Sequence, residues 1–157
     1  MSCVLVVDDE LAMREFYCRT LISGGYLPIG SRTAEEGLDF LSGSSEIPVV
    51  VADINMPGRG GAWLVDQVRQ RFPNVAVILA TGDETVPGTL SLQPSVVNYL
   101  VKPVSAANLL AAVKEALEWR QQRIVASTPN AAGTDQIEAW LDKKLTRGHG
   151  DGTDHSN

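Results

Sequence analysis

Cysteine, aromatic side chains and basic charge are all scarce in this chain of 157 residues, and it contains no long apolar run. Two cysteines, Cys3 and Cys18, are too few for a disulfide framework and fit a reducing compartment, where each serves as a small apolar residue. Lys and Arg number 13 against 19 Asp and Glu, a net charge of −6. That balance argues against gripping nucleic acid by phosphate neutralisation, or an anionic membrane by a basic patch. No apolar stretch approaches the ~18 residues of a membrane span, and Met1-Ser2-Cys3 runs into a strand-like segment, not a signal peptide. The two histidines, His149 and His155, lie in a polar tail without the paired ligands a transition metal needs. What is present is ordinary: 44% hydrophobic and 20% charged residues, enough for one domain that buries about two-thirds of its unfolded surface. The expectation is an acidic, cytoplasmic domain with no membrane and no direct nucleic-acid partner.

Short β-branched runs alternate with longer helical patterns. Val4-Leu5-Val6-Val7 is apolar at every position, as a strand buried on both faces is. Leu11 to Ser23 follows with Met13, Phe16, Tyr17 and Leu21 at helical spacing, and Gly24-Gly25 supplies the stop. Leu27 to Gly30 contains Pro28 and Gly30 and reads as an edge strand, where a missing N–H breaks no interior ladder. Thr33 to Leu41 reads as a helix with Thr33 as N-cap and Glu36 three residues on. Pro48 to Ala52, Val75 to Ala80 and Val96 to Val101 are further strands; Ala62 to Phe72 and Ser105 to Ser127 are further helices. Five strands alternating with helices predict an α/β, doubly wound fold, a parallel sheet covered on both faces, over residues 1–126. Residues 127–157 read differently. Ser127 to Gly133 is a linker, and Thr134 to Leu145 an amphipathic helix with Ile137, Trp140, Leu141 and Leu145 on one side. Gly148 to Asn157 is a polar, disordered tail.

In a parallel α/β sheet, ligands bind at the carboxyl ends of the strands. The first strand ends in Asp8-Asp9-Glu10, and the third in Asp53 with Ile54-Asn55-Met56-Pro57-Gly58 as its loop. The fourth ends in Thr81-Gly82-Asp83 and the fifth in Lys102-Pro103. Three carboxylates, a hydroxyl and an ammonium thus converge on one edge. The carboxylates repel one another, and each pKa rises unless a cation is present. Few, hard oxygen ligands with room for water and phosphate describe a Mg2+ site better than a full Ca2+ cage. A carboxylate nucleophile, Mg2+, a Lys and a hydroxyl donor are the parts that phosphoryl transfer to an aspartate requires.

In its Asp8-Asp9, Asp53, Thr81, Tyr99 and Lys102-Pro103, taken together and in that order, the chain resembles the receiver domain of bacterial response regulators, the CheY-like family, from Val4 to about Trp119. The resemblance implies a flavodoxin-like fold with strand order 2-1-3-4-5. It implies that Asp53 accepts a phosphoryl group from a sensor histidine kinase or a phosphotransfer protein. It further implies that Asp9, Asp53 and the backbone carbonyl of Asn55 ligate Mg2+, with Asp8 acting mainly through water. By the same resemblance Lys102 pairs with the phosphate, Thr81 hydrogen-bonds it, Tyr99 swings inward, and the bond preceding Pro103 is cis. Asn55 and Asp83 occupy the positions that tune dephosphorylation, and small polar residues there imply a short-lived phosphoryl group. The chain is then a signalling domain and not an enzyme, apart from losing its own phosphoryl group. The switch also has a physical basis: a phosphoryl group adds about −1.5 to −2 charges, and bonding Thr81 and Lys102 together draws two loops toward each other.

Three features depart from that pattern. Glu84 to Ser95, where a helix belongs between the fourth and fifth strands, holds Pro87, Gly88 and Pro94, predicting a short or irregular helix. The resemblance assigns output or dimerisation to the face containing that helix, so the usual dimer mode is in question. Trp63 and Trp119 lie off the apolar stripes of their helices and are expected to be exposed. The 31 residues after Ala126 carry five acids and three bases, too few and too acidic for a DNA-reading domain, so output by protein contact is expected. Three other readings compete. An aspartate-nucleophile phosphatase needs an Asp-x-Asp motif where Asp8-Asp9-Glu10 stands. A flavin-binding flavodoxin needs a phosphate cradle where the first loop is acidic. The third is a phosphorylation-independent docking module, or a fragment of a longer regulator.

Overall fold

The computed structural model describes residues 1–44, 46–82 and 93–127. Its elements are β1 (Cys3–Val7), α1 (Leu11–Ser23), β2 (Leu27–Ser31), α2 (Ala34–Gly43), β3 (Val49–Asp53), α3 (Gly61–Arg71), β4 (Ala76–Thr81), β5 (Val96–Val101) and α4 (Ala106–Ser127). The five strands form one parallel sheet in the order β2-β1-β3-β4-β5, the order the family resemblance implied. The chain divides into two compact units, Met1–Gln121 and Gln122–Asn157. The sheet and the strand-end residues belong to the first.

Alternation along the strands builds two cores. Val4, Val6, Val49, Val51, Ile78 and Ala80 pack with Tyr17 and Leu21 of α1 and Leu109 and Val113 of α4. Leu5, Val7, Val50, Ala52, Val77 and Leu79 pack with Leu38 and Leu41 of α2 and Leu64, Val65 and Val68 of α3. Successive side chains point to opposite faces, so Asp8 continues the row of Val4 and Val6, and Asp53 ends the row of Val49 and Val51. Both carboxylates therefore emerge on the α1 and α4 side of the sheet.

Local signals explain where the elements begin and end. The Thr33 side chain caps α2 by accepting the Glu36 N–H at 3.1 Å. After α1 the Tyr26 N–H bonds the Leu21 carbonyl and the Gly25 N–H that of Ile22, with Gly25 at φ 88°, a Schellman stop that requires a residue free to adopt positive φ. Pro28 lies in β2, at the sheet's edge. β3 and β4 each run one residue further than expected, so Asp53 and Thr81 are themselves ladder residues, in register with Ala80 and Val101. A register shift between Val77 and Ile78 leaves Val97 of β5 as an extra residue, which the sequence did not announce.

Trp63 and Trp119 are corrections: both are half-buried, not exposed. Trp63 packs beside the α2 and α3 core, and the Arg59 guanidinium lies 4.6 Å from its ring centroid while pairing with Glu35 at 3.7 Å. Trp119 packs against the α1 and α4 core. A ring this large reaches the core from a flanking helical position, which a 100° stripe does not capture. Phe16 is the opposite case, 36% exposed although its spacing placed it inward. Asp83, most of the Glu84 to Ser95 stretch, the Thr134 to Leu145 helix and the tail with His149 and His155 lie outside the described residues. Among the described residues no helix is long and apolar enough to cross a membrane.

Gly60 and Gly61 let α3 begin against the exit of β3. A Cβ at Gly61 would sit 2.6 Å from the Asp53 carbonyl oxygen and 3.0 Å from Ile54 Cα, both backbone atoms that cannot turn aside. Gly61→Ala is therefore expected to lower stability by about 1–3 kcal/mol in urea denaturation, despite alanine's better helix propensity. An unchanged midpoint would show that the strand exit yields.

Candidate functional site

The site starts from Asp8, the first residue past β1 and fully buried. Three contacts fix it. Its N–H donates to the Ser31 carbonyl at 3.1 Å, its carbonyl accepts from Arg14 Nη1 at 2.8 Å, and its Oδ1 accepts the Glu10 N–H at 2.9 Å. Its Oδ2 is buried and accepts no hydrogen bond, with Lys102 Nζ 3.6 Å away. Asp53 is 7% exposed; its Oδ1 accepts the Asn55 N–H at 3.0 Å and its Oδ2 accepts from Lys102 Nζ at 3.0 Å. Asp9 is exposed, and one carboxylate oxygen each from Asp8, Asp9 and Asp53 lie within 4.8 Å of one another.

The two loops facing this cluster are tied together. Thr81 is buried at the end of β4, and its carbonyl accepts the Lys102 N–H at 2.8 Å. The peptide bond between Lys102 and Pro103 is cis, as the family resemblance implied. Asn55 is exposed beside Asp53. Tyr99 stands apart from the cluster: it packs half-buried against the α2 and α3 core, its hydroxyl buried without a hydrogen-bond partner. Asp8, Asp9 and Asp53 thus cluster, Lys102 pairs with Asp8 and Asp53, and Asn55 and Thr81 adjoin them through the backbone. Arg14, which holds the Asp8 carbonyl, is a site residue that sequence reasoning missed; the available signal was a charge one turn into a helix that follows the acidic loop directly.

Burial, ahead of any neighbouring charge, pushes the Asp8 carboxyl up. Asp53 and Asp9 add to that, while the Glu10 N–H and Lys102 oppose it. Mutual repulsion, the cause expected from the sequence, is thus secondary to desolvation. For Lys102 burial works against the charged form, but the hydrogen bond and charge of Asp53, with Asp8 and Glu10 behind, outweigh it and hold the ammonium above its ordinary value. Among the described residues the ammonium of Lys102 pairs with two of the three carboxylates, Asp8 and Asp53, so the cluster is short of positive charge. Hard oxygen donors at this spacing, one of them buried and without a donor, fit a small divalent cation.

Fold and site together define a doubly wound α/β domain whose carboxyl edge combines an acidic cation site with a lysine beside a buried carboxylate. A family model, the response regulator receiver domain, matches residues 4–114, and the chain belongs to that family. FleR of Pseudomonas aeruginosa is 35% identical over 108 residues, 68% of this chain and 23% of FleR. NtrC of Escherichia coli K12, a DNA-binding transcriptional regulator, is 32% identical over 123 residues, 76% of this chain and 26% of NtrC. The chain spans about a quarter of the length of each. Among solved structures, a response regulator receiver domain protein from Clostridium thermocellum superposes with TM-score 0.72 at 27% identity, covering 78% of this chain and 98% of that one. A CheY-like receiver domain protein from Methanospirillum hungatei JF-1 gives the same values. Receiver domains are phosphoacceptor signalling domains that bind Mg2+ at an acidic pocket and interact with histidine kinases or phosphotransfer proteins.

The buried Asp8 generates a pH prediction. Its raised pKa means the folded chain keeps this proton to higher pH than the unfolded chain does. Stability attributable to Asp8 therefore falls as pH rises from the ordinary carboxylate range through the folded value, then levels off. Asp8→Asn removes that loss while keeping an acceptor for the Glu10 N–H. The variant should be more stable than wild type near pH 7, with the gap closing at about pH 3, where both states are protonated. Denaturation curves at the two pH values check this; a variant less stable near pH 7 contradicts it.

Proposed function

We propose that Asp53 is the phosphoacceptor of this receiver and that Lys102, Thr81 and the acidic cluster read out its phosphorylation. The observation that carries the reading is the ion pair of Lys102 Nζ with Asp53 Oδ2 at 3.0 Å, beside two further carboxylates within 4.8 Å. An Asp53 oxygen attacks the phosphorus of a phosphohistidine on the donor protein; the O–P bond forms, the N–P bond breaks, and the donor histidine takes up a proton. Asp9, Asp53 and the Asn55 carbonyl would hold Mg2+, with Asp8 acting mainly through water. Bound there, the ion would supply positive charge for the phosphoryl oxygens.

The remaining steps belong to the chain's own groups. Asn55 N–H keeps one Asp53 oxygen oriented. Once the carboxylate carries the phosphoryl group as an acyl phosphate, the Lys102 ammonium turns to the phosphoryl oxygens, and the Thr81 hydroxyl bonds another of them. Because the Thr81 carbonyl already accepts the Lys102 N–H, displacing either residue moves both loops. Tyr99, one residue along β5 from Leu100 and in register with Leu79, carries that displacement to the edge of the sheet. Asn55 and Asp83 set the rate at which water removes the phosphoryl group. Residues 1–126 form the acting unit and residues 127–157 a separate segment. With a net charge of −6, this chain signals by protein contact, dimerisation included, in the cytoplasm.

The test is intact mass after incubation with Mg2+ and acetyl phosphate. Wild type should gain one labile phosphoryl group, while Asp53→Ala or added chelator abolishes the gain. Lys102→Ala should leave acceptance measurable but weaken the response of the Thr81 loop. No gain in wild type, or an equal gain in Asp53→Ala, removes the assignment.

A further inference from the structure

Past Asn55, Met56 and Pro57 the loop that leaves β3 becomes almost all glycine. In Gly58-Arg59-Gly60-Gly61 only Arg59 carries a side chain. Gly58 stands at φ 74°, and chain of this kind keeps a single path only where something ties it down. The Arg59 side chain ties it to two helices. Its guanidinium lies 4.6 Å from the ring centroid of Trp63, in the first turn of α3, and its Nε is 3.7 Å from Glu35 Oε1, in the first turn of α2. The two contacts are unequal. The pair with Glu35 is exposed on both sides, so water screens it, whereas the Trp63 ring is half-buried and fixed by the α2 and α3 core.

That tie bears on the acidic site because the loop folds back on itself. The Gly61 N–H donates to the Ile54 carbonyl at 3.2 Å, which closes the loop at its base. Gly60, next to Arg59, lies so close to the outgoing limb that a Cβ there would stand 2.8 Å from the Ile54 carbonyl oxygen and 3.8 Å from Met56 N. Met56 N belongs to the peptide unit whose oxygen is the Asn55 carbonyl, the main-chain ligand of the proposed Mg2+ site. On the other side of the same residue, the Asn55 N–H donates to Asp53 Oδ1 at 3.0 Å. The returning limb, held by Arg59, thus backs the peptide that the site uses. The Ile54 N–H, by contrast, is bonded to the Ala80 carbonyl at 3.0 Å and is held by the sheet.

We propose that Arg59 is a positioning residue of the phosphoacceptor site: stacked on Trp63, it clamps the loop after β3 so that the Asn55 N–H stays on Asp53 and the Asn55 carbonyl stays at the cation's edge. The inference rests on the reading of the cluster as a Mg2+ site. A cation that needs the clamped loop binds more weakly in proportion as the loop is released. The sign of the effect sets the clamp apart from plain electrostatics. Removing a positive charge from the carboxyl edge by itself favours Mg2+, whereas loosening the loop opposes it.

The test uses the full chain, with amide exchange followed by NMR in metal-free protein and Mg2+ titrated by calorimetry. Without metal, Arg59→Ala should speed exchange of the Asn55 N–H about fivefold and leave that of Ile54 unchanged, a split that a general loss of stability does not produce. The same variant should bind Mg2+ about threefold to fivefold more weakly than wild type. Arg59→Lys, which keeps a cation over the ring, should recover part of both effects, and Glu35→Gln should stay within about twofold of wild type. Arg32→Ala is the charge control. Arg32 is an exposed arginine that lines a cavity with Asp9 and Pro57, and its loss should leave Mg2+ affinity unchanged or raise it. If Arg59→Ala binds Mg2+ as tightly as wild type or more tightly, or if Ile54 exchanges faster in step with Asn55, the inference fails alone. If wild type binds no Mg2+, the site reading fails and takes the inference with it.

Discussion

One ammonium, that of Lys102, serves two buried carboxylates, at 3.0 Å from Asp53 and 3.6 Å from Asp8, and the organisation of the carboxyl edge follows from that shortage of positive charge. A buried carboxylate without a full complement of donors destabilises the folded state. The chain keeps three acids there nonetheless, and holds two of them with backbone donors, Glu10 N–H on Asp8 and Asn55 N–H on Asp53, while the Ser31 carbonyl and the Arg14 side chain pin the Asp8 main chain. Such a site trades stability for the capacity to take up a cation and an anion together.

The sheet makes this arrangement possible. Parallel strands end on one side, and alternation puts Asp8 and Asp53 on the same face, above a core closed by α1 and α4. Because Asp53 and Thr81 are the last ladder residues of β3 and β4, the groups that would sense a phosphoryl group are anchored in the sheet, while Lys102 stands just past β5. Rigid anchoring of one side and a loop on the other is the arrangement a switch needs.

Much of this was legible in the chain. Continuous apolar runs located β1, β3 and β4, Pro28 marked the edge strand, Thr33 with Glu36 fixed the start of α2, and Gly24-Gly25 the end of α1. The acids and the lysine were visible because strand ends are where such sheets bind ligands. What escaped were the consequences of packing between distant segments. Nothing local distinguishes Asp8, fully buried, from Asp9, exposed, since the two differ only in which face of the exit they occupy. Trp63 and Trp119 depend on neighbours across the surface, Arg59 and the α4 core, that no helical wheel contains.

The most direct measurement locates the phosphoryl group on the chain. The protein is phosphorylated with a small acyl phosphate in Mg2+, the resulting acyl phosphate is reduced with borohydride, which converts the modified aspartate to homoserine, and the peptides are sequenced by mass spectrometry. The account predicts modification at Asp53 and at no other acidic residue. Homoserine at Asp8 or Asp9, or a phosphoryl group on a side chain outside this cluster, would contradict it.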